Sequence, residues 1–305
     1  MRENSATASS PRRRSRLHAR NLEAVLWTTA GTALFTLVFA SGKFAGDSAS
    51  APQILWLRYI GGLATLVAVL AVTRQPPRRF VSRRPFSHLL RALFGASGGM
   101  AAIQAAAGMP IVDATAIGLL QVIFAIGLGV WLLGERIRRP QWTGIVLCTA
   151  GAAAIVASKG AFRDLEPAYL LPAGIAVAGA VLVAGEAIMI KTLSVREPAL
   201  TVLLYVNAFG ILILAGPAWL AWRPLDIVGM WPFLMLGPIA ITAQFCIIRG
   251  YRLADVALLG PVDYSWLVFS GILGIVFFGE VPGPASYLGA ALILAGGIVL
   301  ARVRT

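Results

Sequence analysis

The chain has 305 residues, of which 58% are hydrophobic and only 13% are charged, and its formal net charge is +13. A soluble domain carries about 25% charged residues, so this composition indicates a protein that lipid covers in part. The basic residues lie in short clusters between long apolar runs. That distribution is typical of orientation signals in membrane proteins and argues against nucleic-acid binding.

The chain offers little metal or redox chemistry. Its two cysteines, Cys148 and Cys246, lie within apolar runs and are predicted to be small buried side chains. The two histidines, His18 and His88, flank predicted spans without metal-ligand spacing. The sequence therefore predicts no metal site, no cofactor and no catalytic residue.

Ten apolar runs are long enough to cross a membrane, since a transmembrane helix needs about 20 mostly apolar residues. The first run follows an Arg-rich tail, as a secretory signal peptide would, but it is long for one and many spans follow, so we expect an uncleaved helix. The third run is rich in Gly and Ala, a composition that suits close helix packing. The predicted spans of this all-α integral membrane fold are 24–42, 53–73, 88–108, 112–133, 140–158, 168–190, 199–221, 231–249, 254–279 and 284–302.

The distribution of Lys and Arg predicts the orientation. With the N-terminus in the cytoplasm, 21 of the 26 basic residues, Arg91 among them, fall on the cytoplasmic side, and four fall on the opposite side. Arg58 lies within the second span. By the positive-inside rule, both termini of this multi-pass protein are predicted to be cytoplasmic. The lipid bilayer that it spans is predicted to be the inner (plasma) membrane.

The two halves of the chain share a spaced pattern that begins at Glu135 and Glu280, which end the fourth and ninth spans and are predicted to hold those helix ends. Each repeat holds five spans, an odd number, so the second copy enters the membrane upside down, as in many transporters. The predicted divisions are a basic tail over 1–23 and two repeats over 24–158 and 168–302. The matching glycines are Gly144 with Gly289, nine residues after the glutamates, and Gly151 with Gly296, sixteen residues after them.

Several segments after residue 24 carry a family resemblance: SGKFAGD, ILWLRYIGGL, MPIVDATAIGLLQVIF, LLGERI and GPVDYSWLVFSGILGIVFFGEVP. In order and spacing they resemble the EamA-type ten-helix members of the drug/metabolite transporter superfamily. The resemblance implies ten helices, both ends cytoplasmic, and a secondary transporter or exporter of small metabolites. It does not name the substrate.

Asp263 is the strongest candidate for a substrate-binding residue. An ionisable side chain at mid-bilayer costs at least about 2.5 kcal/mol on insertion scales, so it faces a cavity or a partner. Asp263 lies halfway along the ninth span, just after Pro261, whose missing N–H disturbs the helix. With Tyr264 and Trp266 beside it, this position is predicted to form a substrate-binding kink. The alternative is a packing kink whose aspartate pairs with another side chain.

Five further polar residues within spans complete the predicted substrate site. Glu186 either lines the inner half of a cavity or takes up a proton, or, as a structural residue, it extends to the interface or pairs with Lys191. Arg58 either contacts an anionic group of the substrate or is a structural partner of Asp47 or Asp263. The amides can hydrogen-bond a substrate or a neighbouring helix. They are Gln104, Gln121 and Gln244.

These features favour a secondary transporter that moves a small metabolite (amino-acid, vitamin or nucleoside-like) by alternating access. A membrane channel and a non-transporting receptor are the alternatives. An intramembrane enzyme is disfavoured because the sequence has neither a Gly-x-Ser-x-Gly nor a His-Glu-x-x-His string. The direction of transport, proton coupling and the oligomeric state, a homodimer included, stay open.

Overall fold

The computed structural model describes residues 11–45, 48–109, 111–162, 167–279 and 281–303, and within these ranges the chain is helical with no strand. The helices are α1 (Pro11–Ala45), α2 (Ala51–Thr73), α3 (Pro85–Gly108), α4 (Ile111–Gly118), α5 (Leu120–Leu133), α6 (Arg139–Ser158), α7 (Leu170–Arg196), α8 (Ala199–Leu220), α9 (Ile227–Leu253), α10 (Val256–Leu259), α11 (Ser265–Phe278) and α12 (Pro284–Arg302).

Over the described residues, eight helical stretches are long and apolar enough to cross a membrane. They correspond to eight of the ten predicted spans, and the other two predicted spans fall on α1 and α3, outside that set. The protein is all-α and multi-pass, as predicted. The number of ten spans stays a prediction. Large apolar side chains such as Trp131, Leu212 and Val276 are exposed on the outer surface, where lipid can cover them.

Two of the spans are interrupted. The fourth breaks at Leu119, between α4 and α5. The ninth consists of α10, a 3-10 turn over Gly260–Tyr264, and α11. Proline removes a backbone donor from an α-helix and crowds the preceding turn, so the irregularity predicted at Pro261 is confirmed. Asp263 therefore lies on a 3-10 turn and not on a regular helix.

Helices from the two halves of the chain pack closely against each other: α3 against α7, α1 against α9, and α6 against α12. Glycine permits this close approach. A Cβ placed on Gly61 of α2 would collide with the backbone carbonyl of Leu234 in α9, and one on Gly151 of α6 would lie 2.5 Å from the carbonyl oxygen of Gly289 in α12. Small residues at such crossings let helix backbones approach each other inside a membrane.

Glu135 follows the end of α5 and links it to the start of α10. Gly134 takes the left-handed conformation, with φ of +68°, which ends α5. The Glu135 carboxylate then accepts hydrogen bonds from the backbone N–H of Val256 at 2.8 Å and of Ala257 at 2.9 Å. Burial raises the pKa of Glu135, and the two N–H donors oppose that rise. The predicted structural role of Glu135 is confirmed, whereas Glu280 lies outside the described residues.

Candidate functional site

The polar side chains inside the helix bundle form two groups. The aspartate cluster consists of Asp263 on the 3-10 turn, Thr32 on α1 and Tyr251 on α9. The arginine cluster consists of Arg91 on α3, Glu186 on α7 and Gln244 on α9. Each cluster joins residues from both halves of the chain, so both lie where the halves meet.

In the aspartate cluster, both carboxylate oxygens of Asp263 face hydroxyl donors. Thr32 Oγ1 lies 3.5 Å from Oδ1, although the Thr32 hydroxyl also has a nearer acceptor, the Thr28 carbonyl oxygen at 3.0 Å. Tyr251 donates from its phenol to Oδ2 at 3.5 Å. Both hydrogen bonds are long, so they leave much of the carboxylate's hydrogen-bonding capacity unused. Asp263 is half-buried rather than enclosed. The carboxylate can therefore accept a further donor, such as a hydroxyl or an amine.

In the arginine cluster, a fully buried guanidinium meets a carboxylate and an amide. Arg91 is 1% exposed, and its Nε lies 3.9 Å from Glu186 Oε1. Its Nη2 donates to Gln244 Oε1 at 3.4 Å. The Glu186 side chain is 23% exposed, so the glutamate is the more accessible of the two charged groups.

Tyr251 and Arg58 both interact electrostatically with Glu186 of the arginine cluster. Besides donating to Asp263, Tyr251 lies within electrostatic range of Glu186. Arg58 on α2 also lies within electrostatic range of Glu186. Its guanidinium carbon lies 4.3 Å from the centre of the Tyr59 ring, a cation–π distance. Glu186 is therefore the group of the arginine cluster that interacts electrostatically with both Tyr251 and Arg58.

The structure brings together four of the predicted site residues: Asp263, Glu186, Gln244 and Arg58. The remaining four join neither cluster. The Tyr264 phenol is buried and donates to the carbonyl oxygen of Leu119 at 3.3 Å. Trp266 is half-buried against the apolar core, Gln121 is half-buried on α5, and Gln104 is exposed on α3. Their assignment to the substrate site stays a prediction.

Several predicted partnerships are wrong. Lys191 does not pair with Glu186, because its Nζ donates to the Ala254 carbonyl oxygen at 2.5 Å and lies 3.6 Å from Asp255 Oδ1. Within the described part of the chain, the hydrogen-bond partners of Asp263 are hydroxyls, so Arg58 does not pair with it. The other partner predicted for Arg58, Asp47, lies outside the described residues.

Arg91 is the most important residue that the sequence interpretation missed, because it was counted with the cytoplasmic loop. In the structure α3 begins at Pro85, so Arg91 lies in the second turn of the helix and points into the bundle. Proline is favoured in the first turn of a helix, and Pro85 was the signal that could have placed the helix start earlier. Tyr251 was missed because it stands between two arginines in the sequence, where an interfacial position is expected.

A groove of about 310 Å³ lies between α4, α5 and α6, next to Tyr264. Its walls are almost wholly apolar, with Leu119, Ile123 and Val156 among them. None of its lining residues belongs to either cluster. In the described ranges, no group of three His, Cys, Asp or Glu side chains could hold a metal ion.

Comparison with known proteins identifies relatives over nearly the whole chain. The pseudopaline exporter CntI of Pseudomonas aeruginosa is 24% identical over 92% of this chain and 96% of its own length. The riboflavin transporter of Vibrio cholerae is 27% identical, covering 90% and 91%. The S-adenosylmethionine uptake transporter of Rickettsia conorii is 25% identical, covering 88% and 90%.

A solved crystal structure of a protein has the same fold, with a TM-score of 0.73 at 23% identity over 94% of this chain and 98% of that one. The EamA-like transporter family matches the sequence twice, over residues 22–157 and 171–302. Since the two matches together span most of the sequence, the chain belongs to the EamA-like transporter family.

Proposed function

We propose that this protein is a secondary transporter that carries a small metabolite across the inner membrane by alternating access between its two halves. The observation that carries the proposal is that two polar clusters, one around Asp263 and one around Arg91, lie between helices of both halves. Polar groups at such depth in an apolar bundle are expensive and mark substrate pathways. The family match and the transporter names of the relatives support transport and not an enzymatic reaction.

Reciprocal packing supports two inverted repeats. If α1 to α6 correspond to α7 to α12, the contact of α3 with α7 has its counterpart in that of α9 with α1, and both are extensive. The glycines predicted to match also meet reciprocally across α6 and α12, Gly144 near Gly296 and Gly151 near Gly289. A two-fold axis in the membrane plane requires this exchange of partners.

The two interrupted spans are also counterparts, since each ends at a left-handed glycine, Gly134 and Gly279. Irregular backbone inside a membrane is tolerated where protein or a water-filled cavity covers it. In inverted-repeat transporters such breaks lie at the substrate site, and the two halves rock around it. We propose ten spans, with both termini cytoplasmic, as the arrangement that satisfies this symmetry.

Flux measurements in proteoliposomes test the proposal. Vesicles preloaded with unlabelled amino acids, riboflavin or S-adenosylmethionine should take up the corresponding labelled compound faster than empty vesicles. Such counterflow requires a carrier that exposes its site alternately, and a channel would give uptake that does not saturate and is not accelerated. Saturable binding without flux would indicate a receptor and refute the proposal.

The orientation has its own test. Cysteines introduced near residues 5 and 305 should both react only with a reagent that reaches the cytoplasm, in a variant without Cys148 and Cys246. Reaction of the two ends from opposite sides of the membrane would exclude an even number of spans.

A further inference from the structure

We propose that Arg91 and Arg58 form an oxyanion site, which binds the carboxylate or phosphate group of the transported metabolite. The inference rests on the proposed function and narrows its substrate class to anionic or zwitterionic compounds. Its basis is the buried guanidinium of Arg91, which lies beside the Glu186 carboxylate with unused donors, and a second buried arginine, Arg58, that also has an unpartnered nitrogen.

Arg91 has far more hydrogen-bond donors than partners. A guanidinium presents five N–H donors, and the side chain is 1% exposed. The described residues provide one hydrogen bond, to Gln244 at 3.4 Å, and no acceptor for Nε or Nη1. The distance of 3.9 Å to Glu186 is an ion pair but too long for a hydrogen bond. A buried charge is normally both paired and hydrogen-bonded, so this site stands out among the buried groups.

Arg58 is also a buried arginine with an unpartnered hydrogen-bond donor. It is 7% exposed, and its Nε has no hydrogen-bond partner within the part of the chain that the structure describes. Its guanidinium lies over the Tyr59 ring, and Tyr59 in turn lies within electrostatic range of Arg91. The Glu186 carboxylate is within electrostatic range of both arginines. Two positive charges therefore share one negative charge.

A planar oxyanion matches the unused donors. Arginine binds carboxylate and phosphate through two parallel N–H bonds, and it is favoured wherever such recognition is needed. Glu186 is the negatively charged partner of Arg91, but it is only loosely held there. Its carboxylate lies against Gly95 of α3, where a Cβ would be 2.7 Å from Oε2, and no hydrogen bond from Arg91 holds it there. An incoming carboxylate or phosphate can take its place beside the guanidinium, and Glu186 then turns toward its exposed side.

A purely structural role for Arg91 leads to different expectations. If Arg91 served only to pair with Glu186, removing either partner would destabilise the fold and leave ligand preference unchanged. If Arg91 binds an anion, the two changes act in opposite directions. Arg91→Gln removes the anion's partner, whereas Glu186→Gln removes the anion's competitor.

The experiment is a thermal-stability screen of the full chain in detergent without added phospholipid. Its probes are pairs that differ only in an anionic group: amino acids and their amides, S-adenosylmethionine and its decarboxylated form, flavin mononucleotide and riboflavin. The anionic member of at least one pair should bind the wild-type protein more tightly. Arg91→Gln should weaken that binding about 10- to 100-fold, Arg91→Lys should restore part of it, and Glu186→Gln should strengthen it. Arg249→Gln is the matched control, because Arg249 is exposed on α9.

Equal binding of both members of every pair, no binding by any anionic probe, or an anion preference that survives Arg91→Gln would overturn the oxyanion site. If the protein transported a neutral metabolite and bound no anion, the proposed transport function would stand and the oxyanion site would be refuted. Anion binding that depends on Arg91 without any flux would do the reverse, so the two failures are distinguishable.

Discussion

Replacing Gly151 by alanine tests the packing of α6 against α12. The added Cβ would lie 2.5 Å from the carbonyl oxygen of Gly289, 2.9 Å from Ile293 Cγ1 and 3.0 Å from the Ile293 backbone nitrogen. Two of these atoms belong to backbone, which cannot turn aside as a side chain can. Overpacking of this kind costs about 1–3 kcal/mol, partly offset by about 1 kcal/mol from the higher helix propensity of alanine.

Gly296 is the predicted counterpart of Gly151 in the second of the proposed repeats. A Cβ there would lie 2.5 Å from Cys148 Sγ, 2.9 Å from the Gly144 carbonyl oxygen and 3.0 Å from the Cys148 backbone nitrogen. Gly296→Ala is therefore expected to destabilise the protein as much as Gly151→Ala does. Gly297→Ala is the control one residue further along α12, where a Cβ would meet nothing within 4 Å.

The assay is thermal unfolding of the purified protein in detergent. A loss of 1 kcal/mol lowers the melting temperature by about 2–4 °C in a protein of 150–250 residues. Gly151→Ala and Gly296→Ala should each melt several degrees below Gly297→Ala, which should match the wild type or exceed it. Melting temperatures that do not separate the three variants would refute both the close crossing and the symmetry argument.

Two further predictions concern Asp263 and Glu135. Asp263→Asn should lower flux at least about 10-fold, because it removes the charged acceptor. The control Thr242→Ala, at an exposed position of α9, should change flux less than twofold, as roughly expected for a surface site. Equal losses would contradict the role of the aspartate cluster. Glu135→Gln should change the pH dependence of stability. Burial raises the pKa of Glu135 above its ordinary 4.5, so the folded protein binds this proton more tightly than the unfolded chain does. The wild type should therefore lose stability relative to Glu135→Gln as pH rises from 4.5 through the raised pKa. If the difference in melting temperature between the two proteins stayed constant over that pH range, the predicted role of the Glu135 proton would be contradicted.

Much of the fold follows from local sequence. The apolar runs predict the helices, Pro261 predicts the irregular turn, and Glu135 after a glycine predicts a helix end. These features depend on neighbours in the chain, so their physical cause is visible in the sequence. The boundaries were less predictable: α7 continues to Arg196 and α9 to Leu253, past the predicted ends, because a helix does not stop where its apolar run stops.

Some members of the site were predictable from the sequence, but their pairings were not. Asp263, Glu186 and Gln244 stood out because each is a polar residue in an apolar span. Their partners come from distant parts of the chain, so nothing local could choose Arg91 over Lys191 for Glu186. Arg91 itself falls inside the predicted span 88–108, but it follows a series of arginines and was therefore counted with them as a cytoplasmic orientation signal.

The hydrogen bond from Tyr264 to Leu119 joins the break in one half to the break in the other. The Leu119 carbonyl oxygen also accepts from the Val122 backbone N–H, at 3.2 Å, so this one oxygen receives donors from two non-consecutive helices. Any rearrangement that separates the interrupted spans must release the phenol, and that bond contributes about 1 kcal/mol. If the two halves move as proposed, a hydrogen bond of this strength between the two breaks is weak enough for thermal energy to open it and for it to form again when the breaks return to contact.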